Sequence, residues 1–181
     1  MDALRRICND GINGQRWIGV VAAFGVLSFA PASVADTLNG QVLGAGAPIA
    51  NSTVTLYAAG AGAPSQLVQA KTGADGRFTL STTSVPPRDA SLYLVAKGGK
   101  SSADKSSGDN PAIALIAILG NYLPAKVTIN EMTTVASVWT NAQFLDGATL
   151  KGPALPLKIA AGNVPSFVDT GRTTPRDESL R

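Results

Sequence analysis

Asp75 sits between two glycines in TGADGRFTL, residues 72–80, and Ser102 and Lys105 stand three apart in the polar stretch GGKSSADKSSGDNP, residues 98–111. An acid in a glycine-rich loop is the beginning of a calcium site, and Ser-x-x-Lys can pair a nucleophile with its base. Neither pattern is complete. A calcium loop needs several more oxygen ligands at alternating positions, and neither Gly73 nor Arg77 has one in its side chain. Asp-Gly between two β-prone runs is a hairpin signal, so Asp75 reads as a bend. Ser102 and Lys105 lie in a loop where no packed helix would hold nucleophile against base, so the match reads as chance. Asp104 and Asp109 fit no calcium spacing and read as solvated loop residues.

Composition removes most other chemistry. The chain has no histidine and one cysteine, Cys8. Cys8 falls in a segment expected to be removed, so Ser-His-Asp and Cys-His triads and zinc sites with His or Cys ligands are all unavailable. A glycosidase needs two carboxylates held across a cleft, and the acids here lie mostly in expected turns and loops. No phosphate-binding or dinucleotide fingerprint is present. No residue is assigned a catalytic, cofactor-binding or metal role, and no cofactor is expected. Asn51-Ser52-Thr53 fits the glycosylation sequon, which counts only in a eukaryotic secretory route.

The elements that would position any site begin after a leader. Arg5, Arg6 and Arg16 precede a charge-free run, Trp17 to Ala30, and Ser33 and Ala35 occupy the small-residue positions before a cut. Residues 1–35 therefore read as a secretory signal peptide, with an uncleaved anchor as the competing reading. Fifteen basic and twelve acidic residues become twelve and ten once Arg5, Arg6, Arg16, Asp2 and Asp10 are removed, a net charge of +2. That is too mild to imply nucleic acid or an anionic membrane surface.

From Leu38 to Lys97 short alternating runs are broken by turns: LNGQVL, STVTLYA, QLVQAKT, RFTLST and ASLYLVAK. Five strands in so short a span predict an antiparallel β-sandwich over residues 36–99, extending to 130 if KVTI (Lys126 to Ile129) adds a strand. AIALIAIL, Ala112 to Leu119, is too short to span a bilayer and reads as a fully buried strand, with a buried helical turn as the alternative. The period then changes. Met132, Val135, Ala136, Trp139, Ala142 and Leu145 recur at helical spacing behind the N-cap candidate Asn130, with Gly147 as the expected stop. That stripe is expected to pack on the sandwich or on a partner, with Trp139 in a core. Residues 131–168 thus form a helical segment, with a second short helix interrupted by Gly162 and Pro165, and residues 169–181 form a patternless, disordered tail.

The arrangement GAPIANSTVTLY, AKTGADGRFTLS and ASLYLVAKGG resembles the carboxypeptidase regulatory-like domain, a transthyretin-like β-sandwich, over about Leu38 to Gly99. The resemblance implies a non-catalytic accessory or adhesive module of exported proteins. LPAKVTINEMTTVASVWTNAQFL looks like a segment that follows such modules in exported bacterial proteins and there precedes a longer C-terminal part. Related collagen-adhesin repeats form Lys–Asn bonds, but the first strand here has no lysine, so none is expected. A transthyretin-like hydroxyisourate hydrolase needs histidines and is excluded on composition. The expectation is a non-enzymatic exported module, periplasmic, cell-surface or extracellular, with a structural or adhesive role. The alternative is a carbohydrate- or peptide-binding module in which Tyr57 or Tyr93 stacks on a ligand, if their sheet face is exposed. Its partner would be an unknown protein or glycan, with no nucleic acid and no stable membrane span in the mature chain.

Overall fold

The computed structural model describes residues 36–83, 86–102 and 108–169. The leader, Asp104, Lys105 and the tail from residue 170 lie outside them. The protein is mainly β, with strands in antiparallel sheets and short helices near the C-terminus. One sheet contains β1 (Asp36–Gly44), β2 (Ala47–Ala50), β5 (Arg77–Thr82) and β7 (Lys100–Ser101) in the order β5-β1-β2-β7, with β9 (Lys126–Ile129) running parallel to β1. The other orders β4-β3-β6-β8 from β3 (Thr53–Ala59), β4 (Ser65–Lys71), β6 (Ser91–Lys97) and β8 (Ala114–Gly120).

Alternation decides which side chains meet between the sheets. Leu38 and Val42 of β1, Phe78 and Leu80 of β5, and Val127 and Ile129 of β9 face Val54, Leu56, Leu92, Leu94 and Ala96 of the opposing sheet in one buried cluster. Gly40 lies on the inward side of β1, where a Cβ would overlap the Phe78 ring. Glycine is required there by close approach.

The second sheet is buried on its other face as well. Tyr93 and Val95 of β6 and Ile116 and Ile118 of β8 join a separate cluster beneath a helical layer. That layer contains α1 (Glu131–Asn141), α2 (Ala154–Gly162) and α3 (Val164–Phe167), with the small hairpin β10 (Leu145–Asp146) and β11 (Thr149–Leu150) inserted after α1. The molecule is thus sheet, sheet, helices, and β6 and β8 are apolar on both faces because both faces are covered. Of the Ala112–Leu119 run, expected to be a fully buried strand, Ala114 onward is β8 and is buried only from Ile116, while Ala112 and Ile113 precede the strand.

Three expectations need correction. Asp75 is a bend, but the turn is not a hairpin, since β4 pairs with β3 and β5 with β1. The turn carries the chain from one sheet to the other. Gly76 takes φ 71°, Gly73 N–H donates to the Arg77 carbonyl at 2.9 Å, and the Asp75 carboxylate accepts from Arg77 N–H at 3.0 Å. Thr72 sets the crossing: its hydroxyl donates to the Ile49 carbonyl at 2.7 Å and accepts from Ser52 N–H at 2.9 Å, binding the strand end to the β2–β3 turn. Secondly, Ala47–Ala50, which falls between the expected strands LNGQVL and STVTLYA, is itself a strand, β2. Thirdly, α1 ends at Asn141, and Gly147, at φ 58°, turns the β10–β11 hairpin instead of stopping the helix. Asn130 does cap α1, accepting from Thr133 N–H at 3.0 Å while Thr133 Oγ1 accepts from Asn130 N–H at 2.9 Å.

Thr72→Val keeps the shape but leaves Ser52 N–H and the Ile49 carbonyl without this partner in a buried place. It is expected to lower unfolding free energy by about 2–4 kcal/mol in urea titration, while Thr72→Ser retains most of it. A second expectation concerns Tyr93, stacked on Tyr57 with ring centroids 5.2 Å apart and accepting from Leu150 N–H at 3.4 Å. Burial raises the Tyr93 phenol above its ordinary 10.0; the Leu150 hydrogen bond opposes this and Tyr57 adds to it. With the folded value above the unfolded one, this contribution is intact below about pH 10 and is lost as pH rises through the folded value. Denaturant midpoints measured from pH 8 upward should therefore fall on the alkaline side, and less steeply in Tyr93→Phe.

Candidate functional site

In the second sheet β8 is an edge strand, and its outward N–H groups need partners if a layer is to cover them. α1 supplies hydroxyls. Ile118 N–H donates to Ser137 Oγ at 3.0 Å, and Ile116 N–H donates to Thr134 Oγ1 at 3.1 Å, whose own proton goes to the Asn130 carbonyl at 2.7 Å. Thr133, Ser137 and Asn141, spaced by four, are fully buried. A helix that turns this polar row inward must turn the opposite row outward.

The opposite row is apolar. Trp139 is 74% exposed, Val135 65%, Met132 44% and Val138 42%. This corrects the expectation that the stripe packs on the sandwich with Trp139 in a core; of its six members Ala136 alone is buried. α2 behaves alike, burying Leu157, Ala160 and Ala161 while exposing Leu155 and Ile159. α1 and α2 lie against each other, and the layer they form is apolar on its inner and outer sides. Large exposed apolar patches on folded domains mark contact surfaces. The sequence carried a signal for this: Thr133, Ser137 and Asn141 repeat at helical spacing as regularly as the apolar residues do.

A second face has a different character. On the outward side of β5, β1 and β9, the register sets Thr79, Asn39 and Lys126 in one row and Arg77, Gln41 and Thr128 in the next. These six line a shallow depression of about 430 Å³. Thr79 Oγ1 donates to Asn39 Oδ1 at 2.9 Å, and Gln41 Nε2 donates to the Asp75 carbonyl at 2.8 Å. Arg77 meets Asp75 at 3.4 Å with both side chains largely exposed, a pairing too solvated to hold the site rigid.

The remaining candidates do not converge. Tyr93 is 1% exposed and Tyr57 half-buried against the helical layer, so the face they share is covered and ligand stacking there is closed off. Ser102 donates its backbone N–H to the Pro48 carbonyl at 2.8 Å, while Lys105 and Asp104 lie outside the described residues. Asp109 is exposed. Among the described residues no three acids or other metal-binding side chains cluster, and no helix is long and apolar enough to cross a membrane.

No protein-family model matches the chain, and no curated protein does. Among solved structures, a 9R-lipoxygenase from Cyanothece PCC8801 is similar over 56% of this chain and 17% of its own, at 15% identity and a TM-score of 0.33. The chain thus spans less than a fifth of that protein's length, and a likeness this slight carries no argument.

Proposed function

We propose that this is an exported, non-enzymatic β-sandwich module with a structural or adhesive role, exercised through the outer face of its helical layer. One observation carries the reading: α1 uses its hydroxyl row to cover the β8 edge and directs Met132, Val135, Val138 and Trp139 into solvent. A cost of this kind is tolerated where the surface is later covered. The resemblance to carboxypeptidase regulatory-like modules, and the leader read at residues 1–35, support the same role and the exported location.

A second reading, binding of a carbohydrate or peptide, is favoured by the array of Asn39, Gln41, Arg77, Thr79, Lys126 and Thr128. Amides, hydroxyls and two cations in register suit a polyhydroxylated or acidic ligand, although the array offers no aromatic platform.

The test separates these readings. The fraction of exported protein retained in the cell envelope should be high for the natural chain and should drop several-fold for Leu155→Glu/Ile159→Glu, with far-UV circular dichroism unchanged. Equal retention of both proteins would defeat the adhesive reading, and reproducible turnover in a hydrolytic panel would defeat the non-enzymatic one. Glycan-array binding abolished by Arg77→Ala/Lys126→Ala would favour the second reading instead.

A further inference from the structure

We infer that the face of α1 and α2 is covered by a second copy of this chain, in a two-fold dimer whose axis passes near Val135. The inference rests on the docking role proposed above and names its partner. Three features select this occupant: area, charge and self-complementarity.

Met132, Val135, Val138, Trp139, Leu155 and Ile159 are exposed by 42–74%. Trp139 alone exposes most of the roughly 150–250 Å² of an aromatic side chain, and with the five smaller side chains the exposed apolar surface is on the order of 600 Å². One side of a standard interface needs about 800 Å², so this patch with a modest polar rim is enough.

The charge of the layer excludes the obvious competitor. Between residues 131 and 168 the charged side chains are Glu131, Asp146, Lys151 and Lys158, balanced in sign. α1 has no Lys or Arg at all. Lys158 donates to Asp89 at 3.2 Å, and the Glu131 carboxylate accepts from Ala45 N–H at 2.7 Å. A helix lying in a membrane interface draws much of its affinity from basic residues along its polar face. Here that face holds hydroxyls already bound to β8. A neutral patch meets no repulsion from its own copy.

The seam also complements itself. In a two-fold contact, residue i meets j while j meets i. Antiparallel crossing of two α1 helices near Val135 sets Trp139 of each copy over Met132 of the other, a thioether-on-indole contact of the kind that adds to apolar burial. The two Val135 side chains lie side by side at the axis, with Leu155 and Ile159 flanking. The N-terminus of each α1 then points along the C-terminus of the other, the favourable dipole arrangement.

Sedimentation velocity on the exported chain should show a species of twice the monomer mass that builds up with concentration. Trp139→Glu should raise the dissociation constant by roughly 100-fold, as expected for an aromatic anchor at an interface centre. Val135→Glu and Val135→Lys should each be monomeric, and mixing them should restore a heterodimer, a rescue that misfolded variants would not give. In a Cys8→Ser background, Val135→Cys should form an intermolecular disulfide under mild oxidation. A natural chain that stays monomeric at about 100 µM, well above typical dimer affinities, overturns the dimer. So does association that survives Val135→Glu, or a mixture of the charged variants that stays monomeric. A monomer whose envelope retention still falls in Leu155→Glu/Ile159→Glu overturns the dimer alone and leaves the docking role standing; unchanged retention removes both.

Discussion

The open edge of β8 is the constraint on which the helical layer depends. A strand buried on both faces cannot leave outward N–H groups bare beneath a covering helix, because an unpaired buried donor costs about 1–3 kcal/mol. Ser137 and Thr134 meet that demand for Ile118 and Ile116. Once the hydroxyls are committed inward, the position of every other side chain on α1 follows from helical geometry, and the apolar row has nowhere to go but out. The exposed Trp139 is therefore a consequence of edge protection, not a packing failure.

The two sheets obey a simpler rule. Their shared interior is filled by alternating aliphatic residues with Phe78 laid across Gly40, and hydrophobic burial supplies the driving force. Polar groups intervene where the chain must change layers. Thr72 is the clearest case, holding Ile49 and Ser52 at the foot of the corner that Asp75 and Gly76 turn. A buried hydroxyl with two backbone partners fixes geometry that apolar contacts leave free.

Much of this architecture was legible in the residues. Alternation in STVTLYA and ASLYLVAK, most of the apolar run that ends at Leu119 and the KVTI strand lie in the sheets. What periodicity does not carry is pairing. Asp-Gly marks a turn equally well within a sheet or between sheets, so the hairpin and the corner look alike until β5 is seen beside β1. Nor does an apolar stripe state which way it faces. The usual inference, apolar inward, failed at α1 because a competing polar row bonded to a strand edge. The six-residue array on β1, β5 and β9 was invisible for the same reason, since it exists through register across strands distant in sequence.

The parallel partnership of β1 with β9 sets a schedule for folding. Asn39 is matched with Lys126 and Val42 with Ile129, so the first strand acquires its last neighbour only after nearly the whole sandwich is available. Loop closure over that separation must be achieved before the ladder returns any free energy, which makes assembly late and non-local. As a chain emerges amino end first, the β1–β5 and β3–β6 ladders can close while β9 is still to come, and the β1–β9 seam is the last tie across the sheet.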